Sequence, residues 1–192
     1  MKETQQVGQN MKVISIWQPF ASLAVKGFKT FETRTWPAPA SIIGQTIGIA
    51  STKGLKPVQR AYFDDERFTT FYAGTGMPPL EELPCGYLLG TVAIDECVLM
   101  TEEFMDEVSE EEKAYGHWEL GNYAWRLEPR MTLDHPIPIR GAQGLYEWHG
   151  VLPDDCEAKV PEASSAQVPS GQELSLGLQA GQRPDRARLR LV

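Results

Sequence analysis

The chain has 192 residues, 42% of them hydrophobic and 23% charged, with a net charge of −8; this suits one well-packed domain and leaves too little for two large ones. Cys85, Cys97 and Cys156 form no C-x-x-C pair, and His117, His135 and His149 are scattered, which argues against a disulfide framework, a metal centre or any other cofactor. No apolar run approaches the roughly 20 residues of a membrane span and MKETQQVGQN lacks a signal core, so a reducing cytoplasmic or nuclear setting is expected, cytoplasmic by default, with no membrane partner.

Residues 1–10 are polar and read as a flexible N-terminus. Lys12 to Ile16 is apolar and β-branched, hence a strand. From Gln18 to Gly27 a short amphipathic helix is expected, with Pro19 in its first turn, Phe20, Leu23 and Ala24 inward, and Gly27 as its cap. Phe31 to Trp36 alternates, placing Glu32, Arg34 and Trp36 on one face and Phe31, Thr33 and Thr35 on the other, until Pro37 and Pro39 end it. Thr46 to Ser51 is a third strand, in which Gly48 suggests a close backbone approach. Pro57 to Tyr72 fits a second helix with Val58, Ala61, Tyr62 and Phe68 inside, and Ala73 to Pro84 a loop.

Gly86 to Leu99 carries the strongest strand signal. Thr101 to Lys113 reads as an acidic helix, Asn122 to Leu127 and Thr132 to Ile139 as two strands, and Gly144 to Trp148 as a closing one. The ordered domain is therefore placed at residues 11–152. Residues 153–192 are expected to be a disordered tail: Glu157 to Val192 contains no aromatic residue and offers little apolar area against an ordering entropy of about 1–2 kcal/mol per residue. Arg183, Arg186, Arg188 and Arg190 would give that tail weak, salt-sensitive affinity for phosphate, or none of consequence.

Charge is unevenly spread. Between Met11 and Arg60, Lys12, Lys26, Lys29, Arg34, Lys53, Lys56 and Arg60 meet one acid, Glu32. Thr101 to Lys113 reverses the balance with Glu102, Glu103, Asp106, Glu107, Glu110, Glu111 and Glu112 against Lys113. A bound phosphate responds to fields within a Debye length of roughly 8 Å rather than to the total. The basic half would suit nucleic acid, the acidic helix 101–113 would suit a basic protein partner, and both are equally readable as solvated faces.

The segment Gly27-Phe28-Lys29-Thr30-Phe31-Glu32-Thr33-Arg34 concentrates the polar chemistry. A strand places Glu32 and Arg34 on one face about 6.5–7 Å apart; Lys29 joins them only if the chain is still turning at residues 29–30. The alternative is a surface ion pair worth roughly 0–1 kcal/mol. A Lys acting as a general base must be neutral near pH 7, well below its ordinary value of about 10.4; burial and Arg34 push that way and Glu32 opposes them. Charged, Lys29 would hold a phosphate or carbonyl oxygen, and Arg34 would do so with a bidentate fork. Glu32 would accept from a base amino group, orient Lys29, or activate water. Trp17 and Tyr123 are candidate stacking platforms, as are Trp36 and Trp125, with core packing as the alternative for each; a stacked base gains about 1–3 kcal/mol. Ser51 and Lys53 end near where such a cleft would open, and Gln18 would read a base edge or cap its helix.

The pattern G-x-K-x-x-E-x-R resembles the signature of the ASCH (activating signal cointegrator homology) domain, with Gly27, Lys29, Glu32 and Arg34 on its fixed positions. Ser15 to Leu23 resembles that family's opening strand and helix. Gly86 to Leu89 with Gly90, Asn122 to Trp125, Pro136 to Gly141 and Leu145 to Trp148 add matches in order, so the resemblance spans residues 12–148. It implies an α+β fold, a small mixed β-barrel of PUA-like type with flanking helices and a cleft beside the motif. It implies binding of RNA, DNA or a nucleotide, RNA favoured. Some members are metal-independent hydrolases: one branch deacetylates acetylcytidine and another is a ribonuclease, roles that here would fall to Lys29 and Glu32. The deacetylating branch has Thr at the Glu32 position, and this chain departs from it there. A protein-interaction module in transcription coactivation is the remaining expectation.

Overall fold

A computed structural model describes residues 9–153, all within one compact unit. The expectations for the N-terminal eight residues and for the tail beyond 153 lie outside the described residues. Six strands form one mixed sheet: β1 (Gln9–Ile16), β2 (Phe31–Arg34), β3 (Thr46–Ser51), β4 (Tyr87–Leu99), β5 (Tyr123–Pro138) and β6 (Leu145–Gly150), in the order β2-β5-β4-β3-β1-β6. β1 and β3 run parallel, Val13 opposite Gly48 through Ile16 opposite Ser51; the other pairings are antiparallel. The α+β class holds. The sheet is open, since β2 and β6 are its two edges, so the expected barrel describes it only loosely.

The two strands expected at 122–127 and 132–139 are one. β5 runs through Pro129 and Pro136, which a regular ladder excludes; register shifts between β4 and β5 absorb them. β1 begins at Gln9, ahead of the expected boundary.

α1 (Phe20–Val25) is buried at all six positions. The amphipathic pattern expected of it is incomplete because both sides are covered: the sheet lies beneath, and aromatic rings lie above. Phe20 stands edge-on to Tyr62 and Phe68, at 4.9 and 6.1 Å between centroids. A helix apolar all round belongs inside a core. The second helix expected at 57–72 divides into α2 (Pro57–Ala61) and α3 (Glu66–Gly74), separated by a 3-10 turn over Tyr62–Asp64. Asp65 restarts the chain by accepting from the Arg67 amide, a side-chain cap. The acidic segment likewise divides into α4 (Glu102–Glu107) and α5 (Glu110–Ala114), each capped by a hydroxyl, Thr101 and Ser109.

Candidate functional site

α1 ends at a turn that decides where Lys29 points. Gly27 has φ of 82°, a left-handed conformation glycine adopts without strain. The amides of Phe28 and Lys29 then both donate to the Leu23 carbonyl, at 2.9 and 3.2 Å. The chain is therefore still curling at Lys29, and its side chain turns onto the face that Glu32 and Arg34 occupy once β2 begins.

Lys29 is 1% exposed. Its Nζ donates to the Tyr115 carbonyl at 2.6 Å and lies 3.8 Å from Glu32 Oε2, with the Phe20 ring centroid at 5.8 Å. The other oxygen, Glu32 Oε1, is 2.9 Å from Arg34 Nε. That N–H does not aim at the oxygen, so Arg34 Nε remains buried without a hydrogen-bond acceptor, while Nη2 reaches the Ser15 carbonyl at 3.5 Å. Burial holds the Lys29 ammonium below its ordinary value, opposed by the Glu32 and Glu112 carboxylates and aided by Arg34. Burial is the largest of these effects, so the balance moves toward a neutral amine rather than toward the charged one that a neighbouring Glu alone would favour.

These groups line one wall of a cleft of about 260 Å³. Its other walls come from three separate stretches: Ser15, Ile16 and Trp17 at the end of β1, Tyr62 after α2, and Tyr115, Gly116 and His117 after α5. Lys56 Nζ sits 5.2 Å from the Trp17 ring centroid, which brings a cation to that wall.

Of the residues singled out from sequence, Lys29, Glu32, Arg34 and Trp17 come together in this cleft. Gln18 does not line it: fully buried, its Nε2 donates to the Pro84 carbonyl and its Oε1 accepts from the Ser22 amide, the capping role rather than a base-reading one. Ser51 is buried beside Tyr87, whose amide its hydroxyl accepts from. Lys53 lines a neighbouring groove instead. Tyr123 pairs with Arg34 across the β2–β5 ladder but stays outside the cleft. Trp36, half-buried, packs edge to face at 4.7 Å on Trp125, which is in the core.

Sequence reasoning passed over Tyr115, Gly116, His117 and Glu112. Glu112 is not part of an exposed acidic face: it is 5% exposed and accepts from the Thr30 amide and hydroxyl, each at 2.8 Å, and from the Phe31 amide at 3.0 Å. It thus pins the start of β2. Glu110 and Glu111 of the same helix are exposed. The available signal was the Tyr115–Trp118 aromatic cluster, abrupt after an acidic run.

Among the described residues Cys85 and Cys97 are free thiols, no cluster of His, Cys, Asp or Glu is arranged to hold a metal ion, and no helix is long and apolar enough to cross a membrane.

No curated protein matches the chain. Two solved structures are similar over 74% of it: the ASCH protein of Zymomonas mobilis, 19% identical, covered over 87% of its own length with a TM-score of 0.41, and a point mutant of that protein, 20% identical, covered over 90% with a TM-score of 0.40. The ASCH domain family model matches residues 14–157, three quarters of the sequence, from the last residues of β1 through all the other strands. The chain belongs to the ASCH domain family.

Proposed function

We propose that the cleft beside the G-x-K-x-x-E-x-R motif binds a single nucleobase, and that the ligand is a nucleotide or nucleic acid, RNA before DNA. The supporting observation is the convergence of Lys29, Glu32 and Arg34 on a cavity walled by Trp17, Phe20 and Tyr62. Its volume of about 260 Å³ sits at the lower edge of the roughly 300–1,000 Å³ common for small-ligand sites. It suits one base with part of its sugar and rejects a stacked duplex. Single-stranded RNA offers such a base without the cost of unstacking a helix.

The polar chemistry fits that occupant. A protonated Lys29 has three N–H donors; one serves Tyr115 and one faces Glu32, leaving a third for a base carbonyl. The acceptorless Arg34 Nε supplies a further donor, and Glu32 retains acceptor capacity toward an exocyclic amine. Titration of the protein with single-stranded RNA, duplex DNA and free nucleosides at about 50 and 200 mM salt tests this. Single-stranded RNA is expected to bind best, to weaken steeply with salt, and to survive in chelator. Absence of binding to all three ends the reading.

A second reading, a metal-independent hydrolase of a modified nucleoside or of RNA, is favoured by one observation: burial lowers the proton affinity of Lys29. A neutral Lys29 would take a proton from water or from a ribose hydroxyl, as a general base must. Turnover of acetylcytidine or labelled RNA, lost in both Lys29→Ala and Glu32→Gln, supports catalysis at this site; turnover untouched by both removes it.

A further inference from the structure

The cleft has a neighbour. A groove of about 810 Å³ is lined by Thr52, Lys53, Cys85, Tyr87, Arg140 and adjoining backbone, with no acidic side chain among its walls. Ser15 lines both cavities. Its carbonyl takes Arg34 Nη2 on the cleft side, and its hydroxyl contacts the Tyr146 hydroxyl at 3.2 Å. The two spaces thus meet at one small residue.

The groove is built on a fixed row of backbone. The Thr52 amide donates to Ile16, Gly86 to Thr52 and Ile139 to Gly86, at 3.0, 3.1 and 3.0 Å. Lys53 and Arg140 each lie one residue beyond this row, both exposed. Their charges are uncommitted. Among the described residues most Lys and Arg side chains are matched to a carboxylate; those that are not are Lys26, Lys53, Lys56 and Arg140. Three of these four mark a single path: Lys56 over Trp17 at the cleft, then Lys53 and Arg140 in the groove. In a chain of net charge −8, a groove with no acidic wall and two uncommitted cations on it is a local field built for an anion.

We propose that the groove is a phosphodiester subsite. The ligand is a single-stranded oligonucleotide: one base enters the cleft, and the backbone crosses Ser15 to run between Lys53 and Arg140. The proposal rests on the base-binding reading of the cleft and adds the class of ligand, an oligomer rather than a free nucleoside, and the direction in which its chain leaves.

The test compares a nucleoside, followed by NMR shifts, with a short single-stranded oligomer carrying the same base. The proteins are wild type, the double variant Lys53→Gln/Arg140→Gln, Lys29→Ala and Lys26→Gln. The oligomer is expected to bind wild type more tightly than the nucleoside does. The double variant should lose about tenfold on the oligomer at low salt and keep the nucleoside affinity. Its slope of log K against log salt should flatten by about 1.4, since each phosphate contact on a single strand contributes roughly 0.7. Lys26→Gln, an unpaired cation off the path, should change neither. Unchanged oligomer affinity and slope in the double variant, with binding still lost in Lys29→Ala, overturns the subsite and leaves the cleft reading standing. Equal loss in Lys26→Gln, or equal displacement of the oligomer by polyglutamate, overturns it as general polyanion attraction. Failure of wild type to bind either ligand removes the cleft reading and the subsite together.

Discussion

At Lys29, burial and charge pull in opposite directions. Leaving water lowers the proton affinity of the amine; the Glu32 and Glu112 carboxylates raise it, and burial prevails. The folded-state pKa is therefore below the ordinary 10.5, so between those two values the unfolded chain binds more protons than the folded one. Stability from this group accordingly rises with pH across that window and is complete above it. Lys29→Met removes the titration together with its desolvation cost. Ligand binding should be lost. In urea unfolding, wild type should gain on Lys29→Met as pH goes from 7 to 9.5; a difference that does not move with pH would show that Lys29 titrates normally. Glu32 behaves differently, because it answers two cations at once. Glu32→Gln leaves Lys29 and Arg34 facing each other with no anion between, and a broken buried pair costs about 3–5 kcal/mol. A fall in unfolding free energy of that order is expected; a change under about 1 kcal/mol would mean the pair is solvated in solution. These three residues were legible in the sequence because they lie within eight positions of one another. The turn that brings Lys29 to the others was signalled by Gly27. What could not be read was the degree of burial, which depends on chain more than eighty residues away.

Glu112 shows how an element can be assigned correctly in type and wrongly in role. The acidic run 101–113 does form helix, yet it breaks at Val108–Ser109, and the second piece turns Glu112 inward to hold the Thr30 and Phe31 amides. Tyr115, one residue past α5, then offers Lys29 its carbonyl. α5 is in this sense the clamp of the site: it fixes the start of β2 and supplies the acceptor for its lysine. Charged hydrogen bonds are worth about 1.5–3 kcal/mol each, and an amide in place of the carboxylate presents a donor to a donor. Glu112→Gln should therefore cost about 2–3 kcal/mol in chemical denaturation and weaken ligand binding through a loosened β2. Glu111→Gln, one position earlier and exposed, keeps an oxygen to accept from the Tyr115 hydroxyl and should stay within about 0.5 kcal/mol. Equal effects at the two positions would contradict the clamp. Local pattern placed this helix but not its facing: composition alone reads a run of Glu as solvated, and the bond that turns one of them inward spans 82 residues.

At the scale of the whole molecule, the cleft lies where β1 ends and β2 begins, on a sheet whose two longest strands, β4 and β5, pair with each other. These strands carry three register shifts, at Leu88 to Gly90, at Thr91 to Val92 beside Pro129, and at Ile94 to Cys97. The run of apolar residues identified β4 cleanly; it could not reveal that two predicted strands were one bent strand, because bulges are properties of a pair and not of a segment. Glycine shows the same limit. Gly48 read as a site of close backbone approach, but a Cβ there meets the Leu88 and Val13 side chains at 2.9 Å, so core side chains rather than backbone would have to shift. The backbone approach is at Gly90, where a Cβ would fall on the carbonyl oxygen of Met131. That oxygen belongs to the bulged stretch of β5 and cannot retreat without undoing the pairing on both sides of it. Gly90→Ala should therefore destabilise far more than Gly48→Ala: by about 3 kcal/mol or more against the roughly 1–3 kcal/mol typical of overpacking. Thermal melts of the two variants beside wild type decide it. Gly48→Ala as damaging as Gly90→Ala would mean that side-chain crowding, rather than the bulge, limits the sheet.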